Sequence, residues 1–160
     1  MKLFVCLLTF LFGIVVFAKA SSAACYTMEQ AEAEQGLRIH SELMVIGLNC
    51  RHLYSAYPED LYQKYKRFTS NNGVLFADYE QKLYSFFSQQ GKNPDASINA
   101  LRTGYANKIS NDAATMRPDL FCRMYAPRID KAMTMSTAEI RKWASTFFPS
   151  HPVKYPLCNG

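Results

Sequence analysis

The amino-acid sequence predicts an all-α protein: a small bundle of five or six helices, stapled by two disulfides and followed by an extended, proline-rich carboxyl tail. Three observations predict it. Apolar residues recur at three- and four-residue steps in one segment after another, the period of a helix with one buried face. Two capping boxes, Thr27 with Gln30 and Ser136 with Glu139, mark helix starts. Glycine and proline fall where helices should stop, and no segment sustains the period of two that a strand requires.

The first segment is read as an export signal. Lys2 is a minimal positive region, and Leu3 to Ala18 is an almost unbroken apolar run, of signal length and too short to span a bilayer. Small residues allow cleavage after Ala20 or after Ala24, so residues 1–24 are expected to be a signal peptide and 25–160 a single helical domain. No later apolar stretch is long enough to cross a membrane, and the expected location is secreted or periplasmic. A lipid on Cys25 is disfavoured, because Ser22 stands where a lipoprotein signal carries a branched aliphatic residue.

Cleavage removes Cys6 and leaves Cys25, Cys50, Cys122 and Cys158, an even number for an oxidising compartment. Three connectivities exist. Cys50 with Cys122 and Cys25 with Cys158 is preferred, since the first two lie in apolar helical stretches and the others in the two tails. A bond between the tails closes a loop worth about 4–5 kcal/mol on the chain-entropy account. Zinc spacing is absent, so no metal and no cofactor is expected.

Helical elements follow in order. From Met28, the residues Ile39, Leu43, Ile46, Cys50, Leu53 and Tyr57 form the buried stripe of a long central helix over 28–57, with Leu37, Met44 and Leu48 widening it. Pro58 ends that helix or opens the next, which carries Leu61, Tyr62, Tyr65 and Phe68 up to Asn71-Asn72-Gly73. A third helix runs on Leu75, Phe76, Tyr79, Leu83, Phe86 and Phe87 to Gly91. Pro94 opens a fourth on Ile98, Leu101, Tyr105 and Ile109, which Asn111-Asp112 loosens. Pro118 and Pro127 bracket a short helix, and Ile140, Trp143, Ala144 and Phe147 face the last one. Pro149, Pro152 and Pro156 keep the tail extended, with Cys158 to hold it.

Charge points toward the class of partner. Eighteen basic side chains face 13 acids in the whole chain; without Lys2 and Lys19 the balance is 16 to 13, or +3. Residues 101–160 hold 9 basic and 4 acidic groups, so the carboxyl half carries the positive field. Basic residues near tyrosines, namely Lys64, Lys66, Arg67 and the pair Arg141-Lys142, are too few for a nucleic-acid binder at this net charge.

The densest polar group is Arg38-Ile39-His40-Ser41-Glu42, inside the most apolar helix. Arg38 and Glu42 are one turn apart and can pair. Glu42, His40 and Arg38 are the weak catalytic candidates, as general acid or base and anion site, but no spacing ties a second catalytic group to them. His52 is placed on a different side of that helix from His40, and His151 sits in the tail. Nucleophile motifs and phosphate-binding glycine loops are absent. The expected function is therefore an exported, non-enzymatic binding protein of the envelope or extracellular space, acting on a protein partner or an anionic surface. A carrier of a small apolar ligand in an aromatic-lined cavity is the alternative, and a small secreted hydrolase using Glu42 or His40 the second alternative.

Overall fold

A computed structural model describes residues 24–52 and 60–158. The expected signal peptide, apart from Ala24, lies outside the described residues, as do Leu53, Tyr57 and Pro58. The described chain is all-helical: α1 (Met28–Asn49), α2 (Leu61–Asn71), α3 (Gly73–Gln89), α4 (Pro94–Thr115), α5 (Pro118–Tyr125), α6 (Pro127–Met133) and α7 (Thr137–Ala144). Only Ala126 separates α5 from α6, so the two can also be counted as one bent helix.

Helix α1 is the axis of the bundle and packs on α2, α3, α4 and α7, with α5 and α6 touching it as well. Its start is chemical: the Thr27 hydroxyl accepts from Gln30 N–H and the Gln30 side chain accepts from Thr27 N–H. Two glycines let neighbours approach. A Cβ on Gly36 would stand 2.2 Å from the Tyr79 ring of α3, and one on Gly47 would stand 3.3 Å from Tyr62 Cα of α2. The core is rich in rings from α2, α3 and α5, with Phe68, Tyr79, Phe87 and Phe121 almost wholly buried.

The central helix is shorter than its apolar stripe suggests. It stops at Asn49, and Cys50, which caps it, is bonded to Cys122 of α5. Arg51 and His52 form a turn, in which Arg51 Nε donates to Asp60 Oδ2 at 2.6 Å while Asp60 caps α2 through Tyr62 N–H. A helical-wheel comparison of His40 with His52 therefore does not apply. Helix α4 is longer than expected, running past Asn111-Asp112 to Thr115; the Asp112 carboxylate is held from outside by the Tyr125 hydroxyl at 2.9 Å. Pro127 does not simply close α5 but starts α6 at its first position, where a missing N–H costs nothing.

The tail returns to the beginning of the domain. Tyr26 N–H donates to Pro156 C=O and Cys158 N–H to Tyr26 C=O, making a single parallel bridge between Tyr26 and Leu157. Beside it Cys25 and Cys158 are disulfide-bonded, with Cα atoms 4.9 Å apart. Further back, Lys154 N–H donates to the buried Glu34 carboxylate and Gln35 Nε2 to the His151 carbonyl. Among the described residues no helix is long and apolar enough to cross a membrane.

Candidate functional site

Helix α1 contributes the floor of an open cleft of about 520 Å³, walled by α6, α7 and the tail. That volume falls in the range of about 300–1,000 Å³ common for ligand sites. Arg38, only 5% exposed, lies on the floor and is fixed on two sides. Its Nε donates to Gln35 Oε1 at 2.6 Å and its Nη1 to Glu42 Oε1 at 3.0 Å. Spacing explains the set: Gln35, Arg38 and Glu42 are three and four residues apart and share one helix face. The remaining terminal nitrogen, Nη2, has no acceptor among the described residues and belongs to a side chain that lines the cleft.

Around this floor the charge is uneven. Arg128 and Lys131 come from α6 and Lys142 from α7. Two carboxylates share the cleft, each with one oxygen hydrogen-bonded. Glu42 is bonded to Arg38 and lies 3.8 Å from Arg128 Nη1. Glu139 is spent on the capping box of α7, where the Ser136 backbone and hydroxyl hold its carboxyl below the usual range. The Lys131 and Lys142 ammoniums have no carboxylate partner among the described residues. The rest of the lining is apolar, formed by Met135, Trp143 and Phe148, the last 48% exposed.

His151 closes the rim. Its Nε2 stands 4.0 Å from Glu42 Oε1 and its Nδ1 2.8 Å from the Ser150 hydroxyl. Desolvation lowers the His151 pKa first and the nearby Arg38 charge second, against an opposing pull from Glu42. A second hollow of about 370 Å³ shares Glu42, Arg128 and His151, but its own polar groups are satisfied. There Lys108 Nζ donates to the Ser150 carbonyl and the Tyr125 hydroxyl to Asp112.

The structure brings Arg38 and Glu42 together and places His40 elsewhere. Two residues from Arg38 is a turn of about 200° around a helix. His40 accordingly faces α2 and α3, with its Nε2 3.2 Å from the Tyr65 hydroxyl and its ring edge-on to Phe76 at 4.9 Å. The histidine near Glu42 is His151, which sequence reasoning left unassigned in the tail. Acid–base chemistry is poorly served here: 4.0 Å is beyond a hydrogen bond, and Glu42 already accepts from a guanidinium. Of the basic pair on α7, Arg141 bridges Glu32 of α1 and Asp78 of α3, while Lys142 lines the cleft. Among the described residues no group of three His, Cys, Asp or Glu side chains could hold a metal ion.

No protein family, curated protein or solved structure matches this chain. The site's own chemistry is what speaks to function.

Proposed function

We propose that this chain is an exported, non-enzymatic binding protein that recognises an anionic group of a protein partner through the cleft between α1, α6 and α7. One observation carries the reading. The unpartnered donors of Arg38, Lys131 and Lys142 line one cleft together with the apolar wall of Trp143 and Phe148. An exposed apolar surface rimmed by cations is the composition of an interaction site, where aromatic and arginine side chains supply most of the energy. Export is supported by the apolar leader sequence and by two disulfides, which persist in oxidising compartments.

The alternatives have less behind them. Rings that would line an apolar carrier's cavity pack on one another instead, as Phe86 does on Tyr26, Phe87 and Tyr155. A hydrolase would need Glu42 free to exchange a proton, and it is engaged by Arg38.

The test is affinity capture from native envelope or secretion fluid on the immobilised protein, in parallel with Lys131→Glu/Lys142→Glu. A partner of this cleft is retained by the original chain, released by about 0.5 M salt, and missed by the double variant. Equal retention by both proteins would remove the cleft from the account.

A further inference from the structure

We propose that the occupant of the cleft is the free carboxyl terminus of a partner polypeptide whose last side chain is apolar. The inference rests on the reading of the cleft as an anion-recognising site and narrows it to one kind of anion.

Donors and acceptors in the cleft are unevenly matched. Arg38 Nη2, Arg128, Lys131 and Lys142 offer only N–H groups, while each carboxylate of the cleft has one oxygen engaged, Glu42 Oε1 by Arg38 and Glu139 Oε2 by Ser136, so donors outnumber open acceptors. The Thr146 hydroxyl is directed at the Lys142 carbonyl at 2.7 Å. An occupant that brings further N–H groups into this space adds donors where donors already predominate, whereas one that only accepts is matched by them. An internal Asp or Glu brings peptide N–H groups on both sides of its carboxylate. A chain end brings a carboxylate that only accepts, with no residue following it.

Geometry agrees with the donor count. In a terminal residue the carboxylate and the side chain leave the same carbon, so a polar and an apolar contact are needed side by side. The cleft offers that pairing: a buried guanidinium held rigid by Gln35 and Glu42 is the polar floor, and Met135, Trp143 and Phe148 are the apolar wall. Because Nε and Nη1 of Arg38 are committed, its free nitrogen has a fixed direction, and a ligand carboxylate need not organise it. The Lys131 and Lys142 ammoniums, on flexible stems at the rim, add attraction over a longer range.

Trp143 is the chain's single tryptophan and stands in the cleft wall, so its emission reports occupancy directly. Two pools of hexapeptides, randomised except for a final Leu or Phe, are titrated as free acids and as carboxyl amides. A third pool is amidated and carries one internal Asp. Free acids should change Trp143 emission saturably, and amidation or Lys142→Ala should weaken the effect at least about tenfold. Lys142 is exposed, so the circular dichroism of the variant should match the original. If the internal-Asp pool binds as well as the free acids, the chain-end proposal is overturned while an anion-recognising cleft stands. If anionic phospholipid vesicles shift the emission and the free acids do not, the occupant is a membrane surface and the proposal is overturned. If no pool and no vesicle has an effect, the cleft reading falls with it.

Discussion

The backbone N–H of Lys154 donates to Oε1 of Glu34 at 2.8 Å, joining the tail to the amino-terminal third of α1 across 120 positions of sequence. Glu34 is fully buried, and the Tyr105 hydroxyl donates to the same oxygen. Neither Glu34 Oε2 nor the neighbouring Tyr26 hydroxyl makes a hydrogen bond among the described residues. Burial, and after it the charge of Glu34, raise the Tyr26 pKa. This carboxylate thus joins the Gln35 side chain and the Tyr26 bridge in positioning the strap that carries His151 to the rim of the cleft.

Removing that carboxylate should be costly. Glu34→Ala strands the Tyr105 hydroxyl and the Lys154 N–H, each worth about 1–3 kcal/mol when buried and unpaired. Urea denaturation should show the midpoint falling, with Glu34→Gln, which keeps an acceptor, losing distinctly less. Equal losses would mean that packing rather than hydrogen bonding is what Glu34 supplies.

Two glycines on helices should respond in opposite directions. Alanine at Gly36 drives a methyl into the Tyr79 ring, and overpacking of about 1–3 kcal/mol exceeds the gain of about 1 kcal/mol in helix propensity. Alanine at Gly104 meets nothing within 4 Å and should stabilise by about 0.5–1 kcal/mol. Thermal melts of the two variants decide the matter, and Gly36→Ala melting above the original protein would refute the close approach.

Glu42 binds Arg38 but also competes with any ligand for it. Glu42→Gln should lower stability, toward the range of about 3–5 kcal/mol seen when one partner of a buried pair is lost. The same variant should bind the free-acid peptide pool more tightly, because the cleft loses its one negative charge beside the guanidinium. Weaker binding by a folded Glu42→Gln would mean that Glu42 orients Arg38 more than it opposes the ligand.

Acid should destabilise the fold through His40 and His151. Burial lowers both pKa values below the ordinary 6.5, with Arg102 adding to the effect at His40 and Arg38 at His151. Tyr65, Arg102 and Glu80 face His40, and Glu80 alone opposes the shift. As pH falls, the unfolded chain takes up its protons first, so this contribution is complete above about pH 6.5 and is lost as pH drops toward the folded-state values. Melting temperatures measured from pH 7.5 down to about 5 should fall, and His40→Gln should flatten part of that slope. An unchanged slope would assign the acid sensitivity elsewhere.

Local chemistry was the part of the fold most legible in the sequence. The boxes at Thr27/Gln30 and Ser136/Glu139 both form as hydrogen-bonded caps, and Leu75, Phe76, Tyr79, Leu83, Phe86 and Phe87 are all buried on α3. Where tertiary contacts decide, local signals misled. Asn111-Asp112 resembles a helix end, yet Tyr125 holds Asp112 within α4. The proline of Ala126-Pro127 suits a stop and a start equally, and it starts α6.

The cleft was less visible for the same reason. Arg38 and Glu42 announce themselves by spacing, but Arg128, Lys142 and His151 reach them from 86 or more positions away, and no periodicity encodes such a meeting. The turning of His40 away from this face is legible in the sequence, since two residues at about 100° each separate it from both Arg38 and Glu42.

The bond between Cys25 and Cys158 spans a sequence separation of 133 and makes the domain a covalent ring. Tension applied to the chain outside the two half-cystines passes through the S–S link and never reaches the helices between them. Pulled from either end, the oxidised domain should transmit force as a short rigid link, extending only after a reductant opens the ring. New ends could be cut at the surface turn around Gly91, between α3 and α4, and the ring would still hold the pieces in register.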